Sequence, residues 1–521
     1  MRRVLSRVLT ALILILCPPF FSVAAADDSA EVKALKKQVE SLQRTVEQLQ
    51  NAVQSMQGAP ARPPTPPSAQ PAPSAIDSFM TKEGITTDRP STIARTTPGA
   101  AAQRYIDLSF IPSFFAGASS KRDSVIQTLQ GGGHDPRKRG FTLAEGELGL
   151  SGIVDPYFEA RAYITTFLDA QSGETNLELE EAFLTTRSLP YGLQLEVGHF
   201  LTEFGQINPR HPHQWDWIDQ PIVNNRLFGP DGIRAPGFRA SVLLPKLLPG
   251  WWKADNFSSI IHVGMQNANG ETMTSFLGGR HEHSGGEEAE HEEEGEEHEH
   301  ALNDESIGFR PRINRDTRAM KDFTYLARWE NFYDFRNGLS TNIGASGLYG
   351  PNATGPRGDT WIYGVDMKWR WRPNNSFRGW PFVTWQTELM RRDYHADRFT
   401  LRHEDEPGEV TTIPGRTLED WGAYSQLLYG FYYGSYGGWA TGVRYEYAGS
   451  SGQSIGGRQR DPFRADRHRV SPLLIWQPSE FTRIRLQYNF DNARHLAGSN
   501  NAHSIWLGFQ WLYGQHPPHE Y

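Results

Sequence analysis

The sequence predicts an all-β fold: a transmembrane antiparallel β-barrel of about sixteen strands, preceded by an N-terminal coiled-coil helix on the periplasmic side. Three observations carry that expectation. The chain opens on an export signal, yet nothing after it is an apolar run long enough to cross a bilayer as a helix. From Arg104 to the C-terminus, segments of alternating apolar and polar residues follow one another. Their connections alternate between tight turns and long loops, the way an outer-membrane barrel sorts them between its two ends.

Taken in order, Met1–Ala26 reads as a signal peptide. Arg2, Arg3 and Arg7 precede an apolar core, Val8–Leu16, and Ala24-x-Ala26 supplies the cleavage motif. Cys17 is the single cysteine and lies inside that core, so the mature chain can form neither a disulfide nor a cysteine metal site. Val32, Leu35, Val39, Leu42, Val46, Leu49, Val53 and Met56 then recur at heptad spacing, which predicts an oligomerising coiled coil over 27–57. One amphipathic helix packed on a domain is the alternative. Residues 58–103 begin as a Pro/Ala-rich extended spacer and continue as a partly disordered segment. The barrel is expected over 104–521.

Strands are expected near 104–116, 140–153, 157–168, 176–187, 192–199, 237–244, 257–266, 323–334, 338–349, 359–372, 380–392, 419–433, 437–448, 467–477, 480–491 and 502–513. In Trp361–Arg372 one face carries Trp361, Tyr363, Val365, Met367, Trp369 and Trp371, and the other Asp366, Lys368, Arg370 and Arg372. Thr482–Phe490 divides in the same way, with Arg483, Arg485, Gln487 and Asn489 on one side. Unpaired charges packed into an apolar core are costly, whereas they suit a wet lumen, and the aromatic face then meets lipid. A soluble sheet with one solvated face is the alternative for any single strand. The lumen-facing basic residues are expected to be Arg161, Arg328, Lys368, Arg370, Arg372, Arg444, Arg483 and Arg485.

The stretch 200–236 stands apart. It is longer than an ordinary connection and has no helical or strand period, yet Trp215, Trp217, Ile218, Ile222, Val223, Leu227 and Phe228 demand burial. It reads as a loop folded into the barrel, with a surface loop on a soluble β-domain as the alternative. The constriction residues are expected to be Arg210, His211, His213, Asp216, Asp219, Arg226 and Arg234. His211 and His213 together with Asp216 and Asp219 are the raw material of a metal cluster. A packed, hydrogen-bonded gate is the favoured reading, because Pro212 restrains the backbone without aiming both imidazoles at one centre.

Between Phe141 and Phe276, the segments FTLAEGELGLSGIVDPYFEARAYI, NLELEEAFLTTRSLPYGLQLEVGHFLTEFG and NPRHPHQWDWIDQP resemble outer-membrane porins of the phosphate-selective O/P type, in a branch sharing the His-Pro-His loop. The closing segment from His503 is similar to the ends of that branch. The resemblance implies a sixteen-stranded trimeric barrel in the outer membrane whose third long loop folds inward. It implies passive diffusion of small hydrophilic solutes, with anions such as phosphate selected by basic residues on the lumen wall.

Arg280–Leu302 is the second distinctive stretch, with His281, His283, His291, His298 and His300 among ten glutamates within 281–300. Imidazole and carboxylate suit zinc, copper or nickel, so the alternative function is capture of a divalent metal, zinc above all, at the extracellular mouth. A solvated acidic loop is the bland reading. The formal net charge is −8. Removing the three arginines of the signal peptide leaves about −11, which disfavours nucleic-acid binding. There is no Gly-x-Ser-x-Gly, His-Glu-x-x-His or phosphate loop, so no enzyme is expected and no cofactor is required.

Overall fold

The computed structural model describes residues 106–169, 173–244, 256–278, 307–313, 315, 317–402, 410–455 and 461–514. The chain divides into Met1–Ser68 and Ala69–Tyr521, and all described residues belong to the second unit. The expected signal peptide, coiled coil and linker lie outside the described residues, as does the His/Glu stretch.

Sixteen strands cross the barrel. They are β1 (Asp107–Ser119), β2 (Gly140–Ile153), β3 (Phe158–Leu168), β4 (Thr175–Thr186), β5 (Leu193–Leu201), β6 (Arg234–Leu243), β7 (Phe257–Asn267), β8 (Phe323–Asp334), β9 (Leu339–Pro351), β10 (Asp359–Trp371), β11 (Phe382–Ala396), β14 (Arg416–Tyr432), β15 (Gly438–Ser451), β16 (Arg467–Ser479), β17 (Thr482–Ala493) and β18 (Asn501–Trp511). A short hairpin, β12 (Phe399–Arg402) and β13 (Val410–Ile413), decorates the connection from β11 to β14, and β19 (Tyr513–Gly514) prolongs β18 along β1. Each barrel strand pairs antiparallel with the next, and β1 pairs with β18 from Ser113–Gln510 to Ser119–Ser504. The sheet is therefore closed and has no free edge.

Each expected strand is present, with ends displaced by a few residues. β6 starts earlier than its pattern because Arg234–Pro236 already pair with His199–Leu201 of β5. Two short helices escaped the periodicity, α1 (Asp123–Leu129) and α2 (Ile222–Phe228), each of seven residues. Two turns are too short for a 3.6-residue repeat to declare itself.

The outer face is an apolar band. Trp361, Tyr363, Val365, Trp369 and Trp371 of β10 are exposed, while Thr360, Ile362 and Asp366 between them are buried. Paired rings mark both rims: Tyr349 with Trp361 at 4.4 Å toward the long loops, and Trp369 with Trp385 at 5.7 Å toward the short turns. Ten residues of strand span about 33 Å. At the usual barrel tilt this projects to about 25 Å, the height of an outer-membrane apolar band.

Two β-bulges lie beside the site described below, and a third register shift falls between Trp476 and Ser479 of β16, next to its short turn. On β2, Ser113 pairs with Glu145 and Phe114 with Leu143, so Ala144 is the extra residue. On β4, Tyr163 pairs with Glu181 and Ile164 with Leu179, which makes Glu180 the extra one. A bulge breaks the alternation locally and re-aims a side chain. Glu180 and its neighbour Glu181 are consequently both buried on the inner side.

Candidate functional site

The connection from β5 to β6, residues 202–233, is the third on the long-loop side, and it folds into the barrel. It does so as a packed element with its own core. Phe204, Ile207, Trp215, Val223, Leu227, Phe228 and Ile233 form one buried cluster with Leu326, Leu348, Ile362 and Met390 of the wall and with Met273, Phe276 and Leu277, which follow β7. Fully burying each such side chain contributes about 1.5–3 kcal/mol. Gly205 passes close against β11: its φ is +67°, and a Cβ there would lie 2.0 Å from the Glu388 carboxylate. Only glycine fits that approach.

The loop is then fastened strand by strand around the wall. Gln206 donates to Asp366 at 2.5 Å and the Ile207 amide to Glu388 at 3.1 Å. Arg483 donates to the His213 carbonyl, and Arg485 to the carbonyls of Trp215 and Trp217 at 3.1 and 3.2 Å. The Trp217 indole donates to the Ser471 carbonyl at 2.8 Å, and the Ile222 amide to Glu446 at 2.6 Å. Arg226 donates to the Ala465 carbonyl at 2.5 Å.

Asp219 is the most heavily bonded loop residue. Arg444 and Arg469 bind its carboxylate, the latter at 2.8 Å, and Gln130, Gln487 and Asn489 donate to it at 2.9, 2.8 and 2.7 Å. Burial alone would raise its pKa, but Arg469 and then Arg444 hold the carboxyl well below the usual carboxylate range. Its neighbour Asp135 accepts from the Gly132 and Gln220 amides, each at 2.9 Å, and burial followed by the Asp219 charge pushes its pKa up to about 7.

Asp219, taken up by Arg444 and Arg469, stands apart from the histidines. His211 and His213 meet carboxylates of β2 and β4 instead. His211 lies 2.9 Å from Glu180 through Nδ1, 2.9 Å from Glu181 through Nε2 and 3.1 Å from Glu147. His213 Nδ1 lies 3.0 Å from Glu147 and 3.7 Å from Glu145. The two rings stack with centroids 5.8 Å apart. Pro212 therefore does set both imidazoles on one centre, the Glu147 carboxylate. Both ring nitrogens of His211 face carboxylate oxygens, the pattern of an imidazolium. Burial opposes the proton, but Glu147 and Glu180 raise the His211 pKa well above the ordinary histidine value.

His134, in the loop after α1, extends the cluster, with Nε2 3.4 Å from Glu180 and 3.9 Å from Asp231. Burial lowers its pKa, but Glu180, Glu145 and Asp231 carry it up to about 10. Arg234 pairs with Glu178 and with Glu180. A small cavity of about 20 Å³ adjoins this group, lined by His134, Glu180, Arg210, His211, Trp215 and Arg234 among others.

The expected lumen-facing residues all fall on the inner side, in a setting the sequence did not suggest. Arg328, Arg444, Arg483 and Arg485 are 1–3% exposed. Arg161 is buried against Glu159 at 2.6 Å, and Arg328 against Asp366 at 2.6 Å. The expectation that Arg483 and Arg485 face passing ions is corrected: their guanidinium groups hold main-chain carbonyls of the loop. Lys368, Arg370 and Arg372 lie further toward the short turns and are only partly buried. Burial and then the nearby Arg370 lower the Arg372 pKa to about 10. Asp216 is a partly exposed loop residue between the two tryptophans.

Glu145, Glu147, Glu178, Glu180 and Glu181 were missed from the sequence, as were Arg464, Arg467 and Arg469. The doublet Glu180–Glu181 did carry a signal: it interrupts a strand that otherwise alternates, as a bulge requires.

Closure into sixteen strands, an apolar outer band between aromatic rims and an infolded third loop together define an outer-membrane β-barrel of porin architecture. No protein-family model matches the chain. It is 27% identical over 442 residues to an uncharacterised protein of Aquifex aeolicus (strain VF5), covering 80% of each. Among solved structures it is similar to the anion-selective porin from Comamonas acidovorans (10% identity, TM-score 0.42, 79% of this chain and 100% of that one). It is similar too to the channel DcaP of Acinetobacter baumannii (11%, 0.43, 80% and 99%) and to Pseudomonas putida OprB (9%, 0.42, 79% and 94%).

Proposed function

We propose that the protein is an outer-membrane porin for passive diffusion of small hydrophilic solutes, with a preference for anions such as phosphate. The observation that carries this reading is the infolded loop: residues 202–233 are bound by side chains of β2, β4, β10, β11, β15, β16, β17 and β18, so the loop rather than the wall sets the narrowest section. The anion preference rests on Lys368, Arg370 and Arg372, a basic line on the inner side toward the short turns. Fixed charges within low-dielectric walls focus their field on a passing ion. The protomers assemble as trimers, following the porins the sequence resembles.

Planar-bilayer recording of the purified protein tests the reading. Discrete conductance steps and a reversal potential of anion-selective sign in asymmetric salt are expected. Removing Arg210–Asp219 should enlarge the steps and weaken discrimination. Absence of steps from both proteins would refute the channel, and unchanged steps in the shortened one would place the constriction elsewhere.

A further inference from the structure

We infer that the interior cluster at the His-Pro-His segment is a binding site for a divalent transition-metal ion of the zinc class, which clasps the infolded loop to β2 and β4. His211 and His213 come from the loop, and Glu145, Glu147 and Glu180 from the wall.

Two triads share one carboxylate. Glu147, Glu180 and His211 form the first and Glu145, Glu147 and His213 the second, with the ligand atoms of each within 4.8 Å of one another. Ligands held about 2.1 Å from a tetrahedral zinc ion lie about 3.4 Å apart. The imidazole–carboxylate separations here, 2.9, 3.0, 3.1 and 3.7 Å, bracket that spacing. Glu147 stands between both imidazoles, as a carboxylate bridging two ions would, and an ion bound at His211 Nδ1 would take the place of the proton held there. His134 and Asp231 of a third triad, completed by Glu178, line the adjoining cavity, which has room for about one water to add to a coordination shell.

Two further observations point to a ligand. Glu145 Oε1 belongs to a side chain 1% exposed yet receives no hydrogen bond, and Glu147 Oε2, equally buried, faces the Nδ1 atoms of His213 and His211 at 3.0 and 3.1 Å. Buried carboxylate oxygens in that state are costly unless a cation meets them. Both wall strands also carry their bulge here, and the one on β4 turns Glu180 inward beside Glu181. Imidazole with carboxylate favours zinc and its neighbours over magnesium or calcium, which prefer all-oxygen shells.

The inference does not depend on the channel reading, because its test reads bound metal. Full-length protein would first have His281, His283, His291, His298 and His300 all replaced by alanine, which removes the imidazoles of the other histidine-rich stretch. After stripping with chelator, it is equilibrated with zinc chloride and assayed by elemental analysis after gel filtration. Retention of one or more zinc ions per chain is expected. Adding Glu147→Gln should weaken binding at least about tenfold, with heat-modifiable electrophoretic mobility reporting that the barrel is intact. No retained zinc in the first protein, or equal retention in the second, would overturn the inference. Anomalous diffraction at the zinc edge from zinc-soaked wild-type crystals needs no variant. A peak among His211, His213 and Glu147 supports the site, and peaks confined to other places refute it.

Discussion

Asp219 and Arg469 face each other across the barrel interior at 2.8 Å, both side chains buried, so the middle of the loop is clamped to β16. Removing the charge from Asp219 takes away the shared partner of Arg444 and Arg469, which keep Glu446 and Asp491 at 2.7 and 2.8 Å, so the cost falls below the about 3–5 kcal/mol of a fully orphaned buried charge. Asp219→Asn is therefore expected to free the loop while leaving the barrel closed. The channel should show larger, noisier current steps, and the loop should become a protease target. A trace indistinguishable from wild type would show that the apolar cluster alone holds the loop.

Arg483 and the Lys368–Arg372 line should separate in their effects. Replacing Arg483 and Arg485 with glutamine removes the donors that hold the His213, Trp215 and Trp217 carbonyls. Conductance should rise with little change in reversal potential. Replacing Lys368, Arg370 and Arg372 with glutamine should instead shift the reversal potential toward cations at nearly constant conductance. If the two triple- and double-site variants behave alike, the division between loop anchors and selectivity residues is wrong.

Acid should loosen one corner at the long-loop end before the rest. His495, in the loop after β17, bonds to Thr128 of α1 at 2.9 Å. Burial first, then Arg467 and Arg226, lower its pKa to about 4. The unfolded residue takes a proton near pH 6.5. Stability from the neutral ring is thus fully present above about 6.5 and is lost as pH falls toward 4. Hydrogen exchange in 123–130 and 494–500 should accelerate across that window. In His495→Gln the acceleration should be largely absent; if it persists unchanged, another group drives it.

Assembly should depend mainly on the barrels. Deleting residues 27–75 removes the expected heptads and proline spacer, and the product should remain a trimer that dissociates somewhat more readily. Native mass spectrometry or crosslinking reads this directly. A monomeric product would assign the assembly to the heptads.

The wall was legible because it is written locally. Period two is readable along most of the barrel strands outside the bulges, and turn residues such as Asp155 and Asn337 mark hairpin reversals. The burial demand of 200–236 was legible too, since Trp217, Leu227 and Phe228 cannot stay in water. The partners of that loop were not. Both bulges arise from how neighbouring strands register, so the inward turn of Glu180 has no expression in a strict alternation beyond the Glu180–Glu181 doublet.

The sequence by itself determined that this chain makes a β-barrel with charged side chains on its inner face and one loop seeking burial. Only the tertiary structure decided what those charges do. His211 reaches Glu180 across 31 residues, and Arg483 reaches the His213 carbonyl across 270. Such pairs are set by barrel closure, which brings the first four strands and the last four around one interior, and no local pattern encodes which buried cation meets which carboxylate or carbonyl.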